Sequence, residues 1–97
     1  MGWQVVFSTR GRNDLQKIVE YIALDNSAAA ERFGLALIAQ AELLAGAPQI
    51  CMPMLERPGA RFLPFGSYLI IYRADAARQT VRILRFWHGA RGKRPLR

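Results

Sequence analysis

Residues 60–88, ARFLPFGSYLIIYRADAARQTVRILRFWH, decide the fold. Three runs of aliphatic, aromatic and β-branched residues lie within them, at 60–64, 68–73 and 80–87. Phe65-Gly66-Ser67 joins the first two, and Asp75-Ala76-Ala77-Arg78-Gln79 joins the last two. Connections this short turn the chain back beside itself, so the spacing predicts a three-stranded antiparallel meander. Tyr68, Ile70 and Tyr72 share one parity and are expected on a packed face. In the last run, simple alternation puts Val81, Ile83, Arg85 and Trp87 on one side and Arg82, Leu84, Phe86 and His88 on the other. Neither set is polar throughout, so both faces are expected to be covered at least in part.

Upstream of the meander the period changes from two to 3.6. Leu15, Ile18, Val19 and Ile22 fall at i, i+3, i+4 and i+7 of a helix, with caps on offer at Ser8-Thr9 and at Asn13-Asp14. Asp25-Asn26-Ser27 interrupts that pattern and supplies a second cap. From residue 28 to about 45, Ala30, Phe33, Leu37, Ala41 and Leu44 line one face of a second helix, whose alanines allow close approach to the first. So short a link predicts an antiparallel helical hairpin. Gly46-Ala47-Pro48 ends it, and Pro48, Pro53 and Pro58 mark an irregular loop up to Gly59. Ahead of everything, residues 3–8 read as a short strand. The expected fold is α+β in the order β-α-α-β-β-β, one domain over residues 1–97. A helical hairpin covers one sheet face only. The other is left apolar with arginines at its margin, the pattern of a docking groove.

Charge is distributed unevenly. The 97 residues carry a net charge of +7. Residues 1–75 balance seven bases against seven acids. The last 22 residues hold Arg78, Arg82, Arg85, Arg91, Lys93, Arg94 and Arg97 and no acid. Such a field attracts a polyanion or an acidic segment. Twelve of the fourteen bases are arginine, whose planar fork suits phosphate and carboxylate. Residues 88–97 are expected to form a basic C-terminal tail.

Several functions are not supported by the residue inventory. With 52% hydrophobic residues the chain can build a core, yet no run approaches the ~18–20 apolar residues that span a bilayer. No membrane association and a cytoplasmic location are expected. One cysteine, Cys51, can form no internal disulfide and is expected to be an inert thiol. One histidine and scattered carboxylates lack metal-ligand spacing, and no nucleotide-binding glycine pattern occurs, so no metal and no cofactor are expected.

Taken in order, Val5-Val6-Phe7, Asp14-Leu15-x-x-Ile18, Tyr21-Ile22-Ala23 before Asp25-Asn26, Ala29-Ala30-x-x-Phe33, Tyr68-x-Ile70-x-Tyr72-Arg73 and the run from Ile83 to Arg91 form a recognisable series. The sharpest element is the terminal strand closing on His88-Gly89-x-Arg91. This series resembles the ParE/RelE toxin superfamily of type II toxin–antitoxin modules, in its ParE-like branch, over roughly residues 4–91. The resemblance implies a toxin held silent by a cognate antitoxin with an acidic, amphipathic C-terminal segment, and DNA gyrase as its target. It further implies inhibition of gyrase and hence growth arrest and plasmid stabilisation, contact with operator DNA only through the antitoxin, and a heterotetramer or larger assembly with it.

The superfamily also contains ribosome-dependent mRNA endoribonucleases of the RelE type. That chemistry needs an activated 2′-hydroxyl, a clamped phosphate and a protonated leaving oxygen. Such enzymes typically carry an arginine second in the middle strand of the meander, after an aromatic; here Tyr68 is followed by Leu69. The expected activity is therefore non-enzymatic. Were the chain a ribonuclease, His88 would serve as acid or base with Arg61, Arg85 and Arg91 as phosphate clamps. A third reading is a non-toxic binding or corepressor module. Strand parity and charge nominate Arg61, Arg82, Leu84, Arg85, Phe86, Trp87, His88, Arg91, Lys93 and Arg94 as target- or antitoxin-binding residues, with Trp87 a candidate interface anchor.

Overall fold

The computed structural model describes residues 2–89. Arg91, Lys93 and Arg94, with most of the expected basic tail, lie outside the described residues. The chain runs through β1 (Gln4–Phe7), α1 (Thr9–Ala23), α2 (Ser27–Glu42), a 3₁₀ turn (Leu43–Ala45), β2 (Met52–Pro53), β3 (Ala60–Phe65), β4 (Tyr68–Asp75) and β5 (Thr80–His88). This is the α+β order expected, with one addition. Met52–Pro53, read as loop, pairs antiparallel with β3 through Met52↔Phe62 and Pro53↔Arg61. The five strands lie in the order β1-β5-β4-β3-β2. β1 runs parallel to β5, Val5 opposite Val81 and Phe7 opposite Ile83, so the sheet is mixed.

Both helices start on side-chain caps. The Ser8 hydroxyl accepts the Gly11 N–H, and the Asn26 carboxamide accepts the Ala29 N–H. Of the two caps available to α1, Ser8 is the one used. Asp14 consequently sits inside the helix, on the side that faces β5. Close packing of the hairpin rests on small residues: Ala30, Gly34 and Ala41 are buried on α2, and a Cβ at Gly34 would stand 2.9 Å from Val19 Cγ2.

Between the hairpin and the sheet lies the larger core, containing Ile18, Leu37, Ala41, Leu44, Ile70, Tyr72, Val81, Ile83 and Phe86. Tyr68, Ile70 and Tyr72 all pack on this side, as their parity predicts. The second face carries a smaller core of Met54, Ala60, Phe62 and Ile71, with Leu69, Leu84 and Trp87 half-buried against it. Met54, from the proline-rich loop, is 2% exposed and covers the β3–β4 part of this face. The β4–β5 end is left half-open.

Alternation fails once, in β5. Ile71 pairs with Arg85 and Tyr72 with Ile83, so Leu84 has no opposite number. A bulge of this kind inserts one residue and flips the side-chain parity beyond it. Phe86 is therefore not on the outer face with Arg82 and Leu84, as expected from alternation. It lies in the main core at 3% exposure, stacked on Phe7 with ring centroids 6.3 Å apart. Trp87 takes the outer face instead, opposite Leu69.

Candidate functional site

The bulge is where β1 ends and β5 continues without that neighbour. Three groups from the start of α1 satisfy the exposed backbone edge. The Ser8 N–H donates to the Ile83 carbonyl at 2.9 Å, and the Ser8 hydroxyl donates to the Leu84 carbonyl at 3.0 Å. Asp14 Oδ2 accepts the Phe86 N–H at 3.1 Å. The same carboxylate grips Arg85 in a two-point pair, Nε to Oδ2 at 2.7 Å and Nη2 to Oδ1 at 3.1 Å. Both side chains are mostly buried, 18% and 16% exposed. The hydrogen bonds from Arg85 to Asp14 raise its pKa above the ordinary arginine value. Its guanidinium also lies 5.2 Å from the Trp87 ring centroid, within cation–π range.

Arg85 thus forms a wall with a cavity on either side. On the helix side is a groove of about 510 Å³, lined by Asp14, Lys17, Ile18 and Tyr21 of α1 and by Tyr68, Phe86 and His88. The α1 residues recur at i, i+3, i+4 and i+7, one face of the helix. Tyr21 is 73% exposed at the rim. His88 sits opposite Tyr68 in the ladder, and their rings meet edge to face at 4.8 Å. On the other side, Arg10, Arg57, Arg82 and Arg85 line a smaller cavity with Leu84.

The nominated residues distribute as follows. Arg85 and His88 share the helix-side groove. Arg82, Leu84 and Arg85 share the cationic cavity, and Trp87 stands beside it on the outer face. Arg61 is elsewhere. It pairs with Tyr72, four residues along β4 from the Tyr68–His88 pair, roughly 13 Å at strand rise. Its Nη1 donates to the Cys51 carbonyl at 2.7 Å. The structure does not bring Arg61 to His88, and Arg91 is outside the described residues. Asp14, Arg10 and Arg57 complete the site and were missed as members of it. Asp14 was legible as a helix residue, but nothing local indicates that it faces β5, and Arg57 comes from the loop.

Residues 5–92 match the family described as the ParE toxin of the type II toxin–antitoxin system ParDE. Comparison with curated proteins finds no significant match. Among solved structures, the fold is similar to one from the chromosomal ParDE system of P. aeruginosa, with TM-score 0.77 and 20% identity, covering 89% of this chain and 95% of that one. It is also similar to one in the RelBE2 toxin–antitoxin complex of Mycobacterium tuberculosis, with TM-score 0.71 and 28% identity over 91% and 99% of the two chains. A chain of the intact E. coli RelBE complex gives TM-score 0.62 at 15% identity, over 95% and 99%.

Proposed function

The chain belongs to the ParE toxin family of type II toxin–antitoxin systems, and on that premise we propose that it acts by binding rather than catalysis, inhibits DNA gyrase, and is neutralised in the cytoplasm by a cognate antitoxin. One observation carries the non-enzymatic part. On the outer face, where the ribonuclease branch carries its arginine after the first aromatic of the middle strand, this chain has Leu69. Its cross-strand neighbours are Pro64 and Trp87. Directly opposed residues are the closest same-face neighbours in a sheet, so Pro64, Leu69 and Trp87 form an apolar row, and none of the three carries a charge for a scissile phosphate.

The alternative constellation is also dispersed. His88 and Arg61 line different cavities, and Arg85 is committed to Asp14. The antitoxin reading is supported by the solved relatives, which come from toxin–antitoxin systems, and by the half-open apolar face beside clustered arginines. An acidic, amphipathic segment complements both features.

A supercoiling assay with relaxed plasmid tests the proposal. Purified toxin at micromolar concentration is expected to inhibit gyrase, and pre-mixed antitoxin to restore activity. Undiminished supercoiling, together with codon-spaced cleavage of translated mRNA that His88→Ala abolishes, would replace this reading with the ribonuclease one. Growth arrest on induction without antitoxin is expected, and its absence would favour the corepressor reading.

A further inference from the structure

The cavity on the outer side of the Asp14–Arg85 pair enters the toxin reading only as clustered charge. About 340 Å³ in volume, it is lined by Arg10, Arg57, Arg82 and Arg85, with Ser8 and Thr9 adding hydroxyls, and its lining among the described residues includes no carboxylate. The four guanidinium groups arrive separately: Arg10 from the first turn of α1, Arg57 from the loop after β2, Arg82 and Arg85 from either side of the β5 bulge. Surface charges that serve only solubility spread apart to lower their mutual repulsion. Here they converge. Arg57 shows the consequence: partial burial first, and then Arg73, Arg10 and Arg85, lower its pKa from the ordinary arginine value. The fold holds this side chain in a positive potential.

We propose that this cavity is a phosphate-binding site. A phosphate group offers several acceptor oxygens and up to two negative charges, which more than one arginine fork and a hydroxyl can share. A single carboxylate matches one fork, and within this structure Asp14 already supplies one to Arg85. The volume falls in the range of small-ligand pockets. The phosphate belongs either to a nucleic-acid backbone or to a small phosphorylated molecule. The site stands independently of gyrase as the target.

Two probes tested on the full-length chain at low salt separate these sources: inorganic pyrophosphate, read by the rise in melting temperature, and a fluorescein-labelled single-stranded oligonucleotide, read by anisotropy. The double variant Arg57→Gln with Arg82→Gln is expected to bind at least tenfold more weakly. The control Arg32→Gln with Arg78→Gln removes the same charge from exposed positions and is expected to change affinity by less than threefold. Arg82→Gln alone, at an exposed position, serves if the double variant fails to melt cooperatively. Competition by pyrophosphate against the oligonucleotide supports a shared site on a backbone phosphate. Binding of pyrophosphate alone supports a small phosphorylated ligand. Equal losses in the two double variants, oligonucleotide binding that pyrophosphate cannot displace, or no binding of either probe overturns the proposal.

Discussion

Replacing Asp14 with alanine tests whether one carboxylate holds the site together. The substitution removes the two-point pair to Arg85 and the acceptor for the Phe86 N–H at once. A mostly buried guanidinium is then left without its counter-charge, and a backbone donor at the bulge loses its partner. Deleting one member of a fully buried pair costs about 3–5 kcal/mol, and an orphaned donor about 1–3 kcal/mol. With side chains 16–18% exposed, water recovers part of both, and the expected loss is about 3 kcal/mol. For a domain of this size that lowers Tm by roughly 12–24 °C. Asp14→Asn keeps an acceptor for Phe86 but not the charge, and should cost about half as much. Urea unfolding followed by tryptophan fluorescence, extended to a double-mutant cycle with Arg85→Met, measures the coupling directly. A cost for Asp14→Ala below about 1 kcal/mol, typical of an exposed pair, would refute the claim that this contact fixes the bulge.

Other expectations follow from particular contacts. Tyr72 is fully buried, and its hydroxyl has no hydrogen-bond partner among the described residues. Burial first, and then Cys51 beside it, push its pKa well above the usual phenol value. A phenol raised on folding leaves stability unchanged below its unfolded pKa of about 10 and lowers it as pH climbs beyond, by up to about 1.4 kcal/mol per pH unit. Tyr72→Phe should remove that alkaline decline while costing little at pH 7, as denaturant melts from pH 8 to 11 would record. Phe86→Ala, in the core, should cost about 3–5 kcal/mol, whereas Trp87→Ala on the half-open face should cost clearly less; equal losses in thermal melts would contradict the parity flip. Gly34→Ala drives a methyl into Val19 and should lower stability by about 1–3 kcal/mol, which Val19→Ala in the same chain should partly restore.

Most of the architecture was legible because it rests on local signals. Leu15, Ile18 and Ile22 repeat at helical spacing, Ser8 and Asn26 are strong caps, and the two short connections in residues 60–88 leave antiparallel pairing as the only economical arrangement. The parallel pairing of β1 with β5 was not legible. It joins residues more than seventy positions apart, and nothing in Val5-Val6-Phe7 names a partner. The bulge was hidden for a related reason. Leu84 is as good a strand residue as its neighbours, and the extra position is fixed by Ser8 and Asp14 of a distant helix start. Every assignment beyond it inherits the error, which is why Phe86 was expected outside and Trp87 with Ile83. For the site, Arg82, Leu84 and Arg85 were found through charge and position in one strand. Arg10 and Arg57 reach the same cavity from a helix and a loop, a convergence that only tertiary structure creates.

The central claim is that the half-open outer face of β5 receives another macromolecule. Titration calorimetry of gyrase with the wild-type chain and with a Leu84→Ala, Trp87→Ala double variant tests it most directly. The account predicts measurable binding by the wild type and at least tenfold weaker binding by the variant, under conditions where both chains are folded. Equal affinity of the two folded proteins for gyrase would contradict it.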